Sequence, residues 1–131
     1  MRLVDTVAIV TGAGSGIGRA IAVRFASEGA SIVVADMAAD RAIETAATLT
    51  EAGALAFAVT VDVTRADQIA AMVEGTIERF GRVDVLVNNA GMSKGNDILT
   101  IDEETWDLNL DIVLKSVFLC SKAVLPGMIA R

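Results

Sequence analysis

The chain has 131 residues, 53% of them hydrophobic, with 11 glycines, one cysteine, no histidine and no tyrosine. That length suits one domain with a buried core, and the absence of histidine excludes Ser-His-Asp and Cys-His nucleophiles and HExxH zinc sites. Eleven basic against seventeen acidic residues give a net charge of −6, with no basic run to track a phosphate backbone, so a nucleic-acid partner is not expected.

A single cysteine cannot form an internal disulfide, and a thiolate metal cluster is not expected; no metal site is assigned. Asp5 interrupts the N-terminal apolar stretch and no small-residue cleavage site follows, which does not read as a signal peptide. Lys115 and Lys122 interrupt the most hydrophobic late segment, so no membrane span is expected and a cytoplasmic location is.

Short apolar runs alternate with helical patterns along the chain. Residues 7–10 (VAIV) form a continuous apolar run, as in a strand buried on both faces. A helix follows over 16–29, with Ile17, Ala20, Ile21 and Phe25 at helical spacing and Gly29 as its stop. Residues 31–35 (SIVVA) make a second strand, 38–51 an alanine-rich helix, and 54–61 a third strand. A helix to Phe80 opens at Thr64, read as a capping-box residue with Asp67 as its partner, and Gly81 ends it.

Residues 83–87 (VDVLV) form the fourth strand and 88–99 an irregular loop. A second capping box, from Thr100 to Glu103, opens a helix that runs to about Leu125, where Pro126-Gly127 kinks or ends it. Eight alternating elements with right-handed crossovers predict a doubly wound α/β domain, a partial Rossmann fold of four parallel strands in the order 3-2-1-4.

The first strand runs straight into Thr11-Gly12-Ala13-Gly14-Ser15-Gly16-Ile17-Gly18, and a helix follows. Glycines there permit a tight turn and close approach of a pyrophosphate, and the helix N-terminus offers free N–H groups to the anion. Taken alone the string is also what a flexible loop looks like; its place between a buried strand and an amphipathic helix points to a dinucleotide. Gly12, Ser15, Gly16, Ile17 and Gly18 are its candidate contacts. The spacing is TGxxxGxG, and Ile17 stands where strict GxGxxG has its third glycine.

This turn, with Asn88-Asn89-Ala90-Gly91 after the fourth strand, resembles the short-chain dehydrogenase/reductase (SDR) family. The resemblance covers the whole chain but only the N-terminal half of the family's usual domain. It implies a Rossmann half-domain over residues 1–131, with strands five onward absent. Asp36 ends the second strand, where a carboxylate can accept hydrogen bonds from the adenosine ribose and repel a 2′-phosphate; this favours NAD over NADP. An ordinary solvated acid at a strand end is the alternative, and the glycine turn upstream favours the ribose role. Asp62 and Val63 match the family's adenine-contacting pair, although Asp62 can simply help start the next helix. Asn89, Ala90 and Gly91 match the stretch that lines the family's cofactor site, and Asn88 has a structural alternative.

The resemblance implies a parent reaction of hydride transfer between NAD and a secondary alcohol or ketone. In the family a tyrosine moves the hydroxyl proton, a lysine four residues on lowers its pKa, a serine orients the substrate oxygen and an asparagine holds a water. This chain has no tyrosine. Phe118 and Lys122 keep the spacing without the hydroxyl; Phe118 is expected in the core and Lys122 in solvent. Ser116 and Ser121 fall on the same helix, and Cys120 reads as buried filler. Counting from Trp106, the asparagine position holds Val113, while Asn109 lies one turn earlier. The chain alone is therefore expected to lack turnover and no catalytic residue is assigned. The alternatives are a non-catalytic NAD-binding module and a non-functional truncated product. Self-association through the 102–125 helix and the open edge of strand four is expected.

Overall fold

A computed structural model describes residues 1–95 and 97–131. The loop expected over 88–99 is thus visible except at Asn96, which lies outside the described residues. The elements are β1 (Val7–Thr11), α1 (Gly16–Ser27), β2 (Ser31–Asp36), α2 (Ala39–Glu51), β3 (Ala56–Thr60), α3 (Ala66–Phe80) and β4 (Val85–Val87). After β4 come α4 (Glu103–Leu110), a π-helical turn (Asp111–Lys115) and α5 (Ser116–Ile129). The strands form one parallel sheet in the order β3-β2-β1-β4, as expected.

Alternation along the central strand splits the core into two layers. Ala8 and Val10 point to one face with Ile32 and Val34, and are covered by Ala22 of α1 and by Ala42, Ala46 and Leu49 of α2. Ile9 points to the other with Val33 and Ala35, against Ile69, Met72 and Val73 of α3 and Cys120 and Val124 of α5. Helices thus cover both faces, which is why the strands of this sheet read as unbroken apolar runs. The register pairs Val10 with Val34 on one side and with Val87 on the other. All strand C-termini therefore lie at one edge of the sheet, where a doubly wound domain places its ligand.

Several local expectations are corrected. Thr64 does not cap α3, whose N-cap is Arg65 without a side-chain bond. Its N–H and hydroxyl both donate to Asp62 Oδ1, at 2.9 and 2.7 Å, so a local side-chain turn pre-empts the cap. Asp67 pairs with Arg65 instead. The second box is displaced likewise. Asp97 Oδ1 takes the N–H groups of Leu99 and Thr100, and Asp102 caps α4 by accepting from the Thr105 N–H at 2.7 Å.

Pro126 neither ends nor breaks α5, which runs on to Ile129. Beyond the proline, Met128 packs on the α3-side core. Arg131 donates to the Val83 carbonyl at 2.7 Å and lies 3.2 Å from Asp84. Those contacts hold the last turn despite the lost N–H. Phe118 is 58% exposed, not core, because Ser116, Cys120 and Val124 form the buried stripe of α5. In α1 the buried residues are Gly18 and Ala22, and Ile17 is exposed.

From Glu103 to Ile129 the chain is one helix of 27 residues with a mean hydropathy of 1.7 over its best 18-residue window. By length and composition alone it could cross a membrane, so Lys115 and Lys122 do not interrupt it as far as expected. The same helix packs Ser116, Cys120 and Val124 inward.

Candidate functional site

Thr11, the last residue of β1, organises the edge where the strands end. Its hydroxyl donates to the Val87 carbonyl at 3.2 Å and accepts from the N–H groups of Asn89 and Ala90, both at 3.0 Å. Asn89 Nδ2 returns the contact, donating to the Thr11 carbonyl at 3.0 Å and to the Gly12 carbonyl at 3.4 Å. The end of β4 is thereby fastened to the glycine turn. Asn89 spends its amide on this fastening. Asn88 points elsewhere, with Nδ2 3.4 Å from the Ser121 hydroxyl.

The glycine turn is packed so closely that side chains are excluded. A β-carbon at Gly18 would lie 2.2 Å from the Gly12 carbonyl oxygen and 2.4 Å from Asn89 Nδ2. At Gly16, by contrast, φ is +53° and a β-carbon would meet nothing within 4 Å. Ser15 is the N-cap of α1, with no side-chain bond to the helix. The first N–H groups of α1 therefore remain available at the mouth of the turn.

Asp36 closes the other flank. Its Oδ2 accepts from the Gly14 N–H and its Oδ1 from the Ala38 N–H, both at 2.9 Å. Each oxygen of an ionised carboxylate has a second lone pair, so the group can still receive two hydroxyl donors. Arg41 of α2 stands beside it: a β-carbon at Gly14 would lie 2.8 Å from both Arg41 Cβ and Asp36 Oδ2.

These pieces surround a cavity of about 540 Å3, within the size range of small-molecule and cofactor sites. Of the eleven residues singled out in the sequence, Gly12, Ser15, Gly16, Ile17, Asp36, Asp62, Val63, Asn89, Ala90 and Gly91 all line it. Gly18 does not, and lies beneath the turn. Asp62 serves both readings given for it, since it lines the cavity and holds the turn that leads into α3. Nine further lining residues were not singled out in the sequence, among them Arg41, Met92, Lys94, Leu108 and Ile112. The placement of Arg41 in the first turn of α2, just after the strand-ending acid, was the available signal for that residue.

The cavity suits a dinucleotide on chemical grounds. It combines an uncapped helix N-terminus for a diphosphate, a carboxylate with spare acceptor capacity for a ribose, and apolar walls from Val61 and Val63. Among the described residues no group of three His, Cys, Asp or Glu side chains is placed to hold a metal.

Fold and cavity together define a doubly wound α/β domain with a cavity at the strand C-termini, where such domains bind their ligands. The family model described as short chain dehydrogenase matches residues 6–131, and the chain belongs to that family, whose cofactor is NAD(P). Galactitol 2-dehydrogenase of Agrobacterium fabrum is 44% identical over all of this chain and 50% of the relative. The (2S)-[(R)-hydroxy(phenyl)methyl]succinyl-CoA dehydrogenase subunit BbsD of Thauera aromatica is 36% identical over 98% of this chain and 52% of the relative. The crystal structure of a hydroxysteroid dehydrogenase from Escherichia coli superposes with a TM-score of 0.92 at 37% identity, over 97% of this chain and 54% of that one. The chain spans about half the length of the curated relatives it matches.

Proposed function

We propose that the chain is the NAD-binding half-domain of a cytoplasmic short-chain dehydrogenase/reductase whose parent reaction is hydride transfer between NAD and a secondary alcohol or ketone. The observation that carries the reading is convergence on one cavity of the open N-terminus of α1, the Asp36 carboxylate and the Asn89–Ala90–Gly91 strip. A bound dinucleotide supplies the hydride carrier. The N–H groups of Gly16 and Ile17 hold its diphosphate, and Asp36 accepts from the adenosine ribose hydroxyls. Asp62 and Val63 flank the adenine, and Ala90 and Gly91 border the path toward the nicotinamide.

Turnover needs a proton donor near neutral pH beside the reacting oxygen. These 131 residues have no tyrosine, and Val113, in the π-helical turn, cannot hydrogen-bond a water. The chain by itself is thus a binder and not a catalyst. NADH absorbance with a panel of alcohols and ketones tests this; turnover clearly above that of Asp36→Ala would refute it. Val113 also favours the second reading, a module that binds NAD without chemistry.

NAD is preferred over NADP on the strength of Asp36. Arg41, on the same wall, supports tolerance of a 2′-phosphate, and parallel calorimetry with the two cofactors separates these outcomes. For a partner the reading takes a second copy of this chain. A groove of about 670 Å3 runs along α4 and α5, lined by Leu110, Leu114, Val117, Phe118 and Leu125. Light scattering that returns a stable monomer at every concentration would remove that element.

A further inference from the structure

Asn109 of α4 is half-buried and stands outside the lining of the cofactor cavity. Its Nδ2 donates to the Lys94 carbonyl at 2.8 Å and to the Thr105 carbonyl at 2.9 Å, while its Oδ1 accepts from the Lys94 N–H at 3.0 Å. Those partners fix the amide orientation, because turning it over would set its oxygen against two carbonyls. One side chain thus satisfies both main-chain groups of a loop residue, as a neighbouring strand would.

The tie is made where the loop separates two cavities. Met92 and Lys94 line the cofactor cavity and also a second one of about 510 Å3, whose other walls include Ile98, Ile101, Trp106 and Val113. Sheet order decides which half of a dinucleotide would lie there. Asp36 ends β2 and Asp62 follows β3, both on one side of β1, while the loop holding Lys94 follows β4 on the other. With the adenosine ribose at Asp36 and the diphosphate at α1, the nicotinamide half extends toward Met92 and Lys94.

We propose that Asn109 is a positioning residue for the nicotinamide half of the cofactor, acting through the Lys94 main chain; the inference rests on the dinucleotide reading above. Freeing the loop lowers the fraction of chains with a formed wall, and apparent affinity falls in proportion. ADP, which ends at the diphosphate, does not reach that wall. The split between ADP and NADH therefore separates positioning from general structural support.

The test titrates NADH and ADP against the full chain with Asn109→Ala and Asn109→Asp. NADH is followed by energy transfer from Trp106, the only tryptophan, and ADP by calorimetry. Asn109→Ala is expected to weaken NADH about tenfold and leave ADP within about twofold. Asn109→Asp keeps an acceptor for the Lys94 N–H but sets its second oxygen against the Lys94 and Thr105 carbonyls, so it should weaken NADH at least as much as Asn109→Ala and likewise spare ADP. Unchanged NADH affinity in Asn109→Ala, or an equal loss for both ligands, would overturn the proposal. Should Asn109→Ala not fold by circular dichroism, the same comparison on Asn109→Asp decides. An unsubstituted chain that binds neither ligand would overturn the dinucleotide reading and this inference with it.

Discussion

Replacing Gly18 by alanine tests the packing of the glycine turn with a single methyl group. Helix propensity alone would make the change favourable by up to about 1 kcal/mol. Here the new β-carbon would sit 2.2 Å from the Gly12 carbonyl oxygen and 2.4 Å from Asn89 Nδ2. Neither neighbour can retreat easily. Gly12 is main chain in the turn itself, and Asn89 is bonded to the Thr11 and Gly12 carbonyls. Overpacking of this kind costs about 3 kcal/mol, so the net loss is about 2 kcal/mol. At an m-value of about 2 kcal/mol/M the urea midpoint should fall by about 1 M. Gly75→Ala is the matched control, within α3 and with nothing within 4 Å of the new carbon; it should gain about 0.5–1 kcal/mol. Gly16→Ala, at φ +53° in open space, should lose about 1 kcal/mol through backbone strain alone. Urea unfolding followed by far-UV circular dichroism reads all three. A Gly18→Ala chain as stable as Gly75→Ala would refute the packing argument.

Asp36→Ala removes the acceptor of the Gly14 and Ala38 N–H groups. It should weaken NAD about tenfold or more and narrow its margin over NADP; calorimetry giving unchanged values for both would remove the ribose role. Burial at Asp84 opposes its charge, but the Arg82 hydrogen bond, the Val7 N–H and the charges of Arg82 and Arg131 together hold its pKa below the ordinary value. A depressed folded pKa gives stability that is present above the unfolded value and lost as pH falls through the folded one. Urea midpoints of the unsubstituted chain and Asp84→Asn should therefore differ at pH 7 and converge in strong acid. Burial pushes the Cys120 thiol up to about 11 from 9.0. Its stabilising share is full below pH 9 and lost as pH rises toward 11, and a thiol reagent at pH 8 should label it only after unfolding. Rapid labelling of the native chain would contradict its buried place.

Much of the fold was legible because the central strands β1 and β2 are buried on both faces. Runs such as Val7–Thr11 and Ser31–Asp36 admit few other environments, and right-handed crossovers then fix the order. The glycine turn and Asp36 were legible because their chemistry is local to one strand–turn–helix unit. What escaped depends on competition or distance. Thr64 and Thr100 match a capping pattern, but Asp62 and Asp97 bind the relevant groups first. Pro126 reads as a stop, yet Met128 and Arg131 have partners that keep the helix going. Phe118 has a core residue's chemistry on the wrong side of α5, since the inward stripe is set by Cys120 and Val124. The fastening of Asn89 to Thr11 spans 78 residues, and no local pattern announces it.

The cavity at the strand C-termini is proposed to bind a nicotinamide dinucleotide. Isothermal calorimetry of NAD against the folded 131-residue chain tests it most directly. Saturable binding near one site per chain, weakened by Asp36→Ala, is the expected result. No heat with either NAD or NADP from a chain shown to be folded would contradict it.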